Sequence, residues 1–194
     1  MSTLTDKSYH HGDLRAALVN AALDLLADDG GGTFSLRAVA RRAGVSAMAP
    51  YRHYHDKEAL LAAVAVQGFD GLRDALRVAE AAASAGQALV AQAVAYVHYA
   101  LENPALFRLM FGPRHFGAHP ELAAAGEAAY AVLAARVAIE TPANVDREAR
   151  TLGCWSLVHG LALLFLDGRI GDKMAAPDDV TRRVAEAMLG AEAR

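Results

Sequence analysis

One cysteine, Cys154, and one tryptophan, Trp155, stand in a chain of 194 residues of which only 7% are aromatic. A single thiol forms neither an internal disulfide nor a cysteine-rich zinc site. Val, Ile, Tyr, Phe and Trp are thin while alanine supplies 45 residues, so intrinsic propensity favours helix over sheet. No segment alternates apolar and polar residues as a half-buried strand does, and no repeat period is visible. The opening residues MSTLTDKSYHH lack the apolar stretch of a secretory signal, so a cytoplasmic location is expected. The longest apolar run, Leu152 to Leu166, spans 15 residues, carries His159, and is closed by Arg150 and Asp167. A membrane span needs about 20 apolar residues, so this run reads as a core helix.

What is present is apolar bulk. With 54% hydrophobic and 21% charged residues, the chain has enough to bury one large core or two small ones, and disorder is excluded as its dominant state. The net charge of −3 argues against a nucleic-acid partner when taken whole. Its distribution reverses that. From Ser35 to Lys57 there are five cations (Arg37, Arg41, Arg42, Arg52, Lys57) against one acid, Asp56, a local +4 set against −7 over the remaining residues.

Periodicity predicts nine helices. The first runs from about Asp13 to Ala27, with Leu14, Leu18, Ala21, Ala22 and Leu25 on one face. Ser35 caps a second, Leu36 to Ala43, with Val39, Ala40 and Ala43 on one side and the three arginines on the other; Gly44 ends it. A third, 47 to 54, holds Pro50 in its first turn, where the missing N–H costs little. Asp56 caps a long fourth helix, Lys57 to about Ala83, with Leu60, Leu61, Val64, Leu72 and Leu76 as its stripe. Further helices are expected near 87–103, 104–111, 120–139, 146–167 and 178–191, divided by Asn103-Pro104, Gly112-Pro113, Thr141-Pro142 and the stretch from Gly168 to Pro177. The fold class is all-α, with an N-terminal three-helix unit at 10–56 and a larger helical part at 57–194.

Two short helices joined by a glycine turn form the helix-turn-helix pattern, whose second helix enters the major groove. Phosphate contacts call for cations and hydroxyl donors at the rim of that helix, a role that suits Ser35, Arg37, Ser46, Tyr51, His53 and Lys57. Base reading calls for side chains on its exposed face: Ala47, Met48, Ala49 and Arg52. Tyr54 is assigned to packing.

The stretch FSLRAVARRAGVSAMAPYRHYHDKEALLAAV resembles the N-terminal region of the TetR family of bacterial repressors, over about residues 10 to 65. The resemblance implies that Tyr51, His53 and Lys57 touch phosphates and that positions 46–49 and 52 face the bases. One departure is Met48-Ala49-Pro50-Tyr51, where the family often has Gly-Thr-Leu-Tyr. Trp155-x-x-x-His159-Gly160 resembles the signature of a Trp-His-Gly subfamily of TetR C-terminal domains, and Pro104 to Phe111 resembles the segment that accompanies it. The C-terminal part is then a ligand-binding and dimerisation domain.

From Ala79 to Phe107 there is no Lys or Arg and only Glu80 and Glu102 as acids. Cavities walled by apolar and aromatic groups with few polar ones are what small-molecule sites look like. Phe69, Tyr96, Tyr99, Phe107, Met110, Phe111, Phe116, Trp155 and His159 are the candidate lining, each with plain core packing as the competing explanation. His115 and His119 share a spacing of four, but Gly117 and Pro120 interrupt the helix and no third ligand is evident, so no metal site and no cofactor are expected. Cys154 in an apolar helix behaves as a small hydrophobe. With no phosphate loop and no paired carboxylates in an evident cleft, an enzyme is not expected.

The expected partners are double-stranded operator DNA, a small-molecule effector of unknown identity and a second copy of the chain, and no membrane. The dimer is expected through the helices near 146–167 and 178–191, with Leu157, Leu161 and Leu164 as interface candidates, internal core being the competing explanation, and Val180, Val184, Ala187, Met188 and Leu189 on the last helix. The function expected is a sequence-specific DNA-binding regulator, a repressor released by a mostly apolar ligand; the alternatives are a helical sensor protein not acting through DNA, and a helical enzyme.

Overall fold

The computed structural model describes residues 11–29, 34–112, 119–170 and 176–189. Among them are eight α-helices and one 3₁₀ turn, and no strand. Helix α1 (His11–Asp29) precedes α2 (Leu36–Arg42), whose start is set by Ser35: its backbone is extended and its Oγ accepts from the Ala38 N–H at 3.2 Å. Gly44, at φ 69°, turns the chain out of α2 in a conformation that a side chain would disfavour.

The helix expected over 47–54 is not formed. The chain makes a turn at 47–48 and a single 3₁₀ turn at Pro50–Arg52. Pro50 has no N–H to give the Ser46 carbonyl, and that carbonyl instead takes Ala49 N–H at 2.9 Å in an i→i+3 bond. Arg52 N–H to Ala49 O (3.2 Å) and His53 N–H to Pro50 O (3.0 Å) continue the tight pattern. A proline at this position is tolerated at a helix start, but here the turn does not lengthen into a helix.

Asp56 accepts from Ala59 N–H at 2.8 Å and opens α3 (Lys57–Ala82). At 26 residues α3 is about 39 Å long, and two cores divide it. Leu60 and Val64 belong to the first, with Leu14, Leu18 and Ala22 of α1, Phe34 just before α2, Leu36 and Val39 of α2, and Tyr54. Ala65, Phe69, Leu72 and Leu76 belong to the second. There α3 packs against α4 (Ala88–Glu102), α5 (Pro104–Phe111) and α6 (Pro120–Glu140), while α7 (Arg147–Leu166) and α8 (Pro177–Leu189) close the far side of α4. Helix α5 touches both cores: Phe107 and Met110 are buried in the second, and Ala105 packs on the first.

The expected interface residues divide. Leu161 is only 9% exposed and lies in the second core, so of its two readings the structure favours core over partner face, whereas Leu164 is 46% exposed. Leu157 is half-buried. On α8, Val180 is buried and Val184 and Leu189 pack on the core, leaving Ala187 and Met188 outward. The helical register decides this: the face of α8 carrying Val180, Thr181 and Ala185 is the one buried. By length and composition α6 and α7 could each cross a membrane. Near the C-terminal end of α6, however, Arg136 is ion-paired to Glu80 of α3.

Candidate DNA-binding surface and apolar cavity

Every residue expected at the DNA face except Ala49 and His53, which are half-buried, is exposed. Met48 stands out at 67% exposure, an unusual position for a large apolar side chain. Pro50 and Tyr54 are buried beneath, so Tyr51 and Arg52 are held outward by the turn that their neighbours anchor. Arg15 of α1 lies 5.7 Å from the Tyr54 ring centroid, above the packed face. The Ser35 hydroxyl uses a lone pair for the cap and keeps its hydrogen to donate. Lys57 Nζ lies 5.4 Å from the Phe34 ring centroid, which holds the cation at the foot of α3.

The positive patch is smaller than its charge count. Arg42 is ion-paired with Asp28 at the end of α1. Arg37, Arg41, Arg52 and Lys57 make no ion pair among the described residues. Asp28 lies seven residues before the charged segment, so a count confined to Ser35 to Lys57 misses it.

Between α3, α4, α6 and α7 is a cavity of about 880 Å³. Of the expected lining, Phe69, Tyr96, Met110, Phe111, Trp155 and His159 border it. Tyr99 and Phe107 do not: Tyr99 turns its hydroxyl to the Gly68 carbonyl of α3 at 2.8 Å, and Phe107, fully buried, sits behind the wall with its ring 5.7 Å from Tyr96 and 5.5 Å from His159. Phe116 and His115 lie outside the described residues. Sequence reasoning missed Gln92 and Cys154, which also line the cavity. Gln92 is a lone amide in an apolar helix, four residues before Tyr96, and that spacing is the signal that could have found it.

Besides His119 and Glu127, which also line the cavity, its polar groups form two hydrogen-bonded sets. Gln92, 3% exposed, donates through Nε2 to Glu80 (2.7 Å), while Glu80 also accepts from Arg136 Nε at 3.0 Å; the Gln92 Oε1 is buried without a partner among the described residues. In the second set, Trp155 Nε1–H donates to the Tyr96 oxygen at 3.3 Å, and that oxygen is 2.9 Å from His159 Nδ1. Burial pushes the Tyr96 phenol well above its ordinary range and holds the His159 imidazole below its ordinary value, so both are neutral at pH 7. Burial also raises the Cys154 thiol, the reverse of what a nucleophile needs.

Comparison with known proteins agrees with this architecture. Residues 18–64 match the family model described as "Bacterial regulatory proteins, tetR family", and residues 89–189 match "Tetracyclin repressor-like, C-terminal domain". An uncharacterized HTH-type transcriptional regulator of Mycobacterium tuberculosis, Rv0681, is 27% identical over 161 residues, 81% of this chain and 72% of that protein. A structure from Rhodococcus sp. RHA1, of a protein with unknown function, is 34% identical, with a TM-score of 0.81 over 94% of this chain and 96% of that one. A tetR-family regulatory protein of Rhodococcus RHA1 shares the fold at 24% identity and a TM-score of 0.66, over 90% of this chain and 94% of that one. With the helix-turn-helix model on the first core and the C-terminal model on the second, the chain belongs to the TetR family and is a DNA-binding transcriptional regulator.

Proposed function

We propose that this regulator is a dimeric, cytoplasmic repressor whose grip on operator DNA is loosened by a small, mostly apolar ligand in the cavity of the second core. The observation that carries the reading is the path of α3: Lys57 at its start stands at the proposed DNA face, and Phe69, Leu72 and Leu76 farther along line the cavity. A ligand that prefers one tilt of α3 changes the separation of two half-site readers, which must lie about 34–36 Å apart or a multiple of it. A coupling of about 1–3 kcal/mol changes affinity some 5- to 150-fold.

Ser35, Arg37, Ser46, Tyr51, His53 and Lys57 are assigned to phosphates, and Ala47, Met48, Ala49 and Arg52 to base edges; the exposure of all but Ala49 and His53 and the local positive charge support this. The division into a DNA-binding unit at 10–56 and a ligand-binding and dimerisation unit at 57–194 belongs to the same reading, with the first two turns of α3 packed on the former. So does the Trp-His-Gly subfamily, on Trp155, His159 and Gly160. The dimer is assigned to α7 and α8. On α7, Leu152, Ser156, Gly160 and Leu164 recur every four residues, and a Cβ on Gly160 would meet nothing within 4 Å.

Electrophoretic mobility on the DNA flanking its own gene tests the reading. A retarded species resistant to unrelated competitor DNA is expected, with a mass of two chains per site. Equal retention of unrelated DNA overturns it.

A further inference from the structure

The cavity carries a specific demand on its occupant, and this inference rests on the cavity being the ligand site proposed above. Trp155 Nε1–H can only donate, so the Tyr96 oxygen accepts from it and keeps its own hydrogen. The remaining partner of that hydroxyl is His159 Nδ1, 2.9 Å away, which must accept. The neutral imidazole therefore carries its proton on Nε2. That Nε2–H has no partner among the described residues, is not fully buried, and belongs to a ring that lines the cavity. Phe107 and Phe111, with ring centroids 5.5 and 4.7 Å from the imidazole, fix the ring in place without offering it an acceptor.

The rest of the wall narrows the class. Among the described residues no Lys or Arg lines the cavity, whereas Glu127 and His119 do. Among these residues a carboxylate or phosphate would meet no permanent cation and would enter an apolar site beside a like charge. A pure hydrocarbon would leave the Nε2–H unsatisfied. From the relay Trp155–Tyr96–His159 and a wall without Lys or Arg among the described residues, we infer that the ligand is a neutral, largely apolar molecule whose hydrogen-bond acceptor, a ketone, ester, amide or ether oxygen, seats on His159 Nε2–H. The lowered basicity of His159 agrees, because a protonated ring able to pair with an acidic ligand is disfavoured there.

Three probes that share one skeleton separate the possibilities: benzophenone (acceptor), diphenylmethane (none) and 4-benzoylbenzoate (anion). Each displaces the neutral dye N-phenyl-1-naphthylamine, whose emission is driven from Trp155, the one tryptophan in the chain. On the full chain, benzophenone is expected to compete about tenfold better than diphenylmethane although it is the less apolar of the two, and better than 4-benzoylbenzoate. In His159→Phe the preference is expected to fall to about unity, with diphenylmethane unchanged. Should that variant fail to fold, imidazole nitrogen shifts in the parent protein read the tautomer directly, with Nε2–H expected for His159. Equal competition by the first two probes, a preference that survives His159→Phe, stronger binding of 4-benzoylbenzoate, or an Nδ1–H tautomer overturns the assignment. If the dye itself is not taken up, the cavity is not a ligand site and the reading beneath this inference fails. If the dye enters and the probes compete equally, that reading stands and only the role of His159 falls.

Discussion

The hydroxyl of Tyr99 on α4 occupies the space beside Gly71 on α3: it donates to the Gly68 carbonyl at 2.8 Å, and a Cβ built on Gly71 would approach it to 2.8 Å. The glycine and the phenol are thus one fitted pair, and substitution at either should be felt at the other. Gly71→Ala gains about 1 kcal/mol of helix propensity but drives the hydroxyl off its carbonyl, a loss of about 1 kcal/mol. In the parent the change is expected to be close to neutral. In a Tyr99→Phe background the same alanine meets only ring carbons at ordinary distances, and its propensity gain is expected to appear in full. A double-mutant cycle of urea midpoints measures the difference.

Alkaline pH reaches the same interface. Burial holds the Tyr99 phenol up to about 12 and raises Tyr96 as well, while in the unfolded chain both ionise near 10. Above pH 10 the unfolded state therefore binds fewer protons than the folded one, and stability falls as pH rises. Urea midpoints from pH 9 to 11 should decline. Tyr99→Phe should make the decline shallower than in the parent.

His98 on α4 sets a second pH response, on α8. Desolvation lowers its pKa, but the hydrogen bonds and charges of Asp178, at the start of α8, and Glu102 outweigh this and raise it above 6.5. Its contribution is fully present below about 6.5 and is lost as pH rises through the raised value. Protection factors of α8 amides, taken relative to the intrinsic rise of exchange with pH, are expected to fall as pH rises above 6.5, and His98→Gln should remove that fall.

The DNA face divides by charge and by base reading. Lys57→Ala should weaken binding uniformly across sequences and reduce the salt slope by about one. Arg52→Ala should relax discrimination between operators. Asp28→Asn releases Arg42 from its ion pair at a stability cost below about 1 kcal/mol, since the pair is exposed, and should steepen the salt dependence of non-specific binding. Fluorescence anisotropy over a salt series checks all three.

For the dimer, Leu164→Glu should yield a folded monomer by sedimentation, because Leu164 is outward. Leu161→Ala should instead lower the thermal midpoint, costing about 2–5 kcal/mol as a core truncation. Were Leu161→Ala to dissociate a dimer of unchanged stability, the placement of α7 would be wrong.

Much of this architecture is legible locally. Ser35, Asp56 and Gly44 act on their own neighbours through a cap, a cap and a positive φ, so helix starts and stops follow from adjacent residues. Pro50 shows where local reading stops. A proline in a first turn is compatible with a helix, and whether the turn lengthens depends on what packs above Pro50 and Tyr54, both buried in the first core. The candidate site behaves likewise. Six of the expected cavity residues border it, while Tyr99 and Phe107, of the same chemical kind and on the same two helices, face elsewhere.

By itself, the amino-acid sequence determined the helical class, the boundaries of most helices, the charge asymmetry that points to DNA and the family, because each depends on residues within a few positions of one another. The tertiary structure alone decided which aromatic side chains wall a cavity, that Leu161 is core and Leu164 surface, that Asp28 neutralises Arg42, and that Trp155, Tyr96 and His159 form one hydrogen-bonded relay. Tyr96 and His159 are 63 positions apart, and no pattern along the chain records a distance of 2.9 Å that exists only once α4 and α7 have packed.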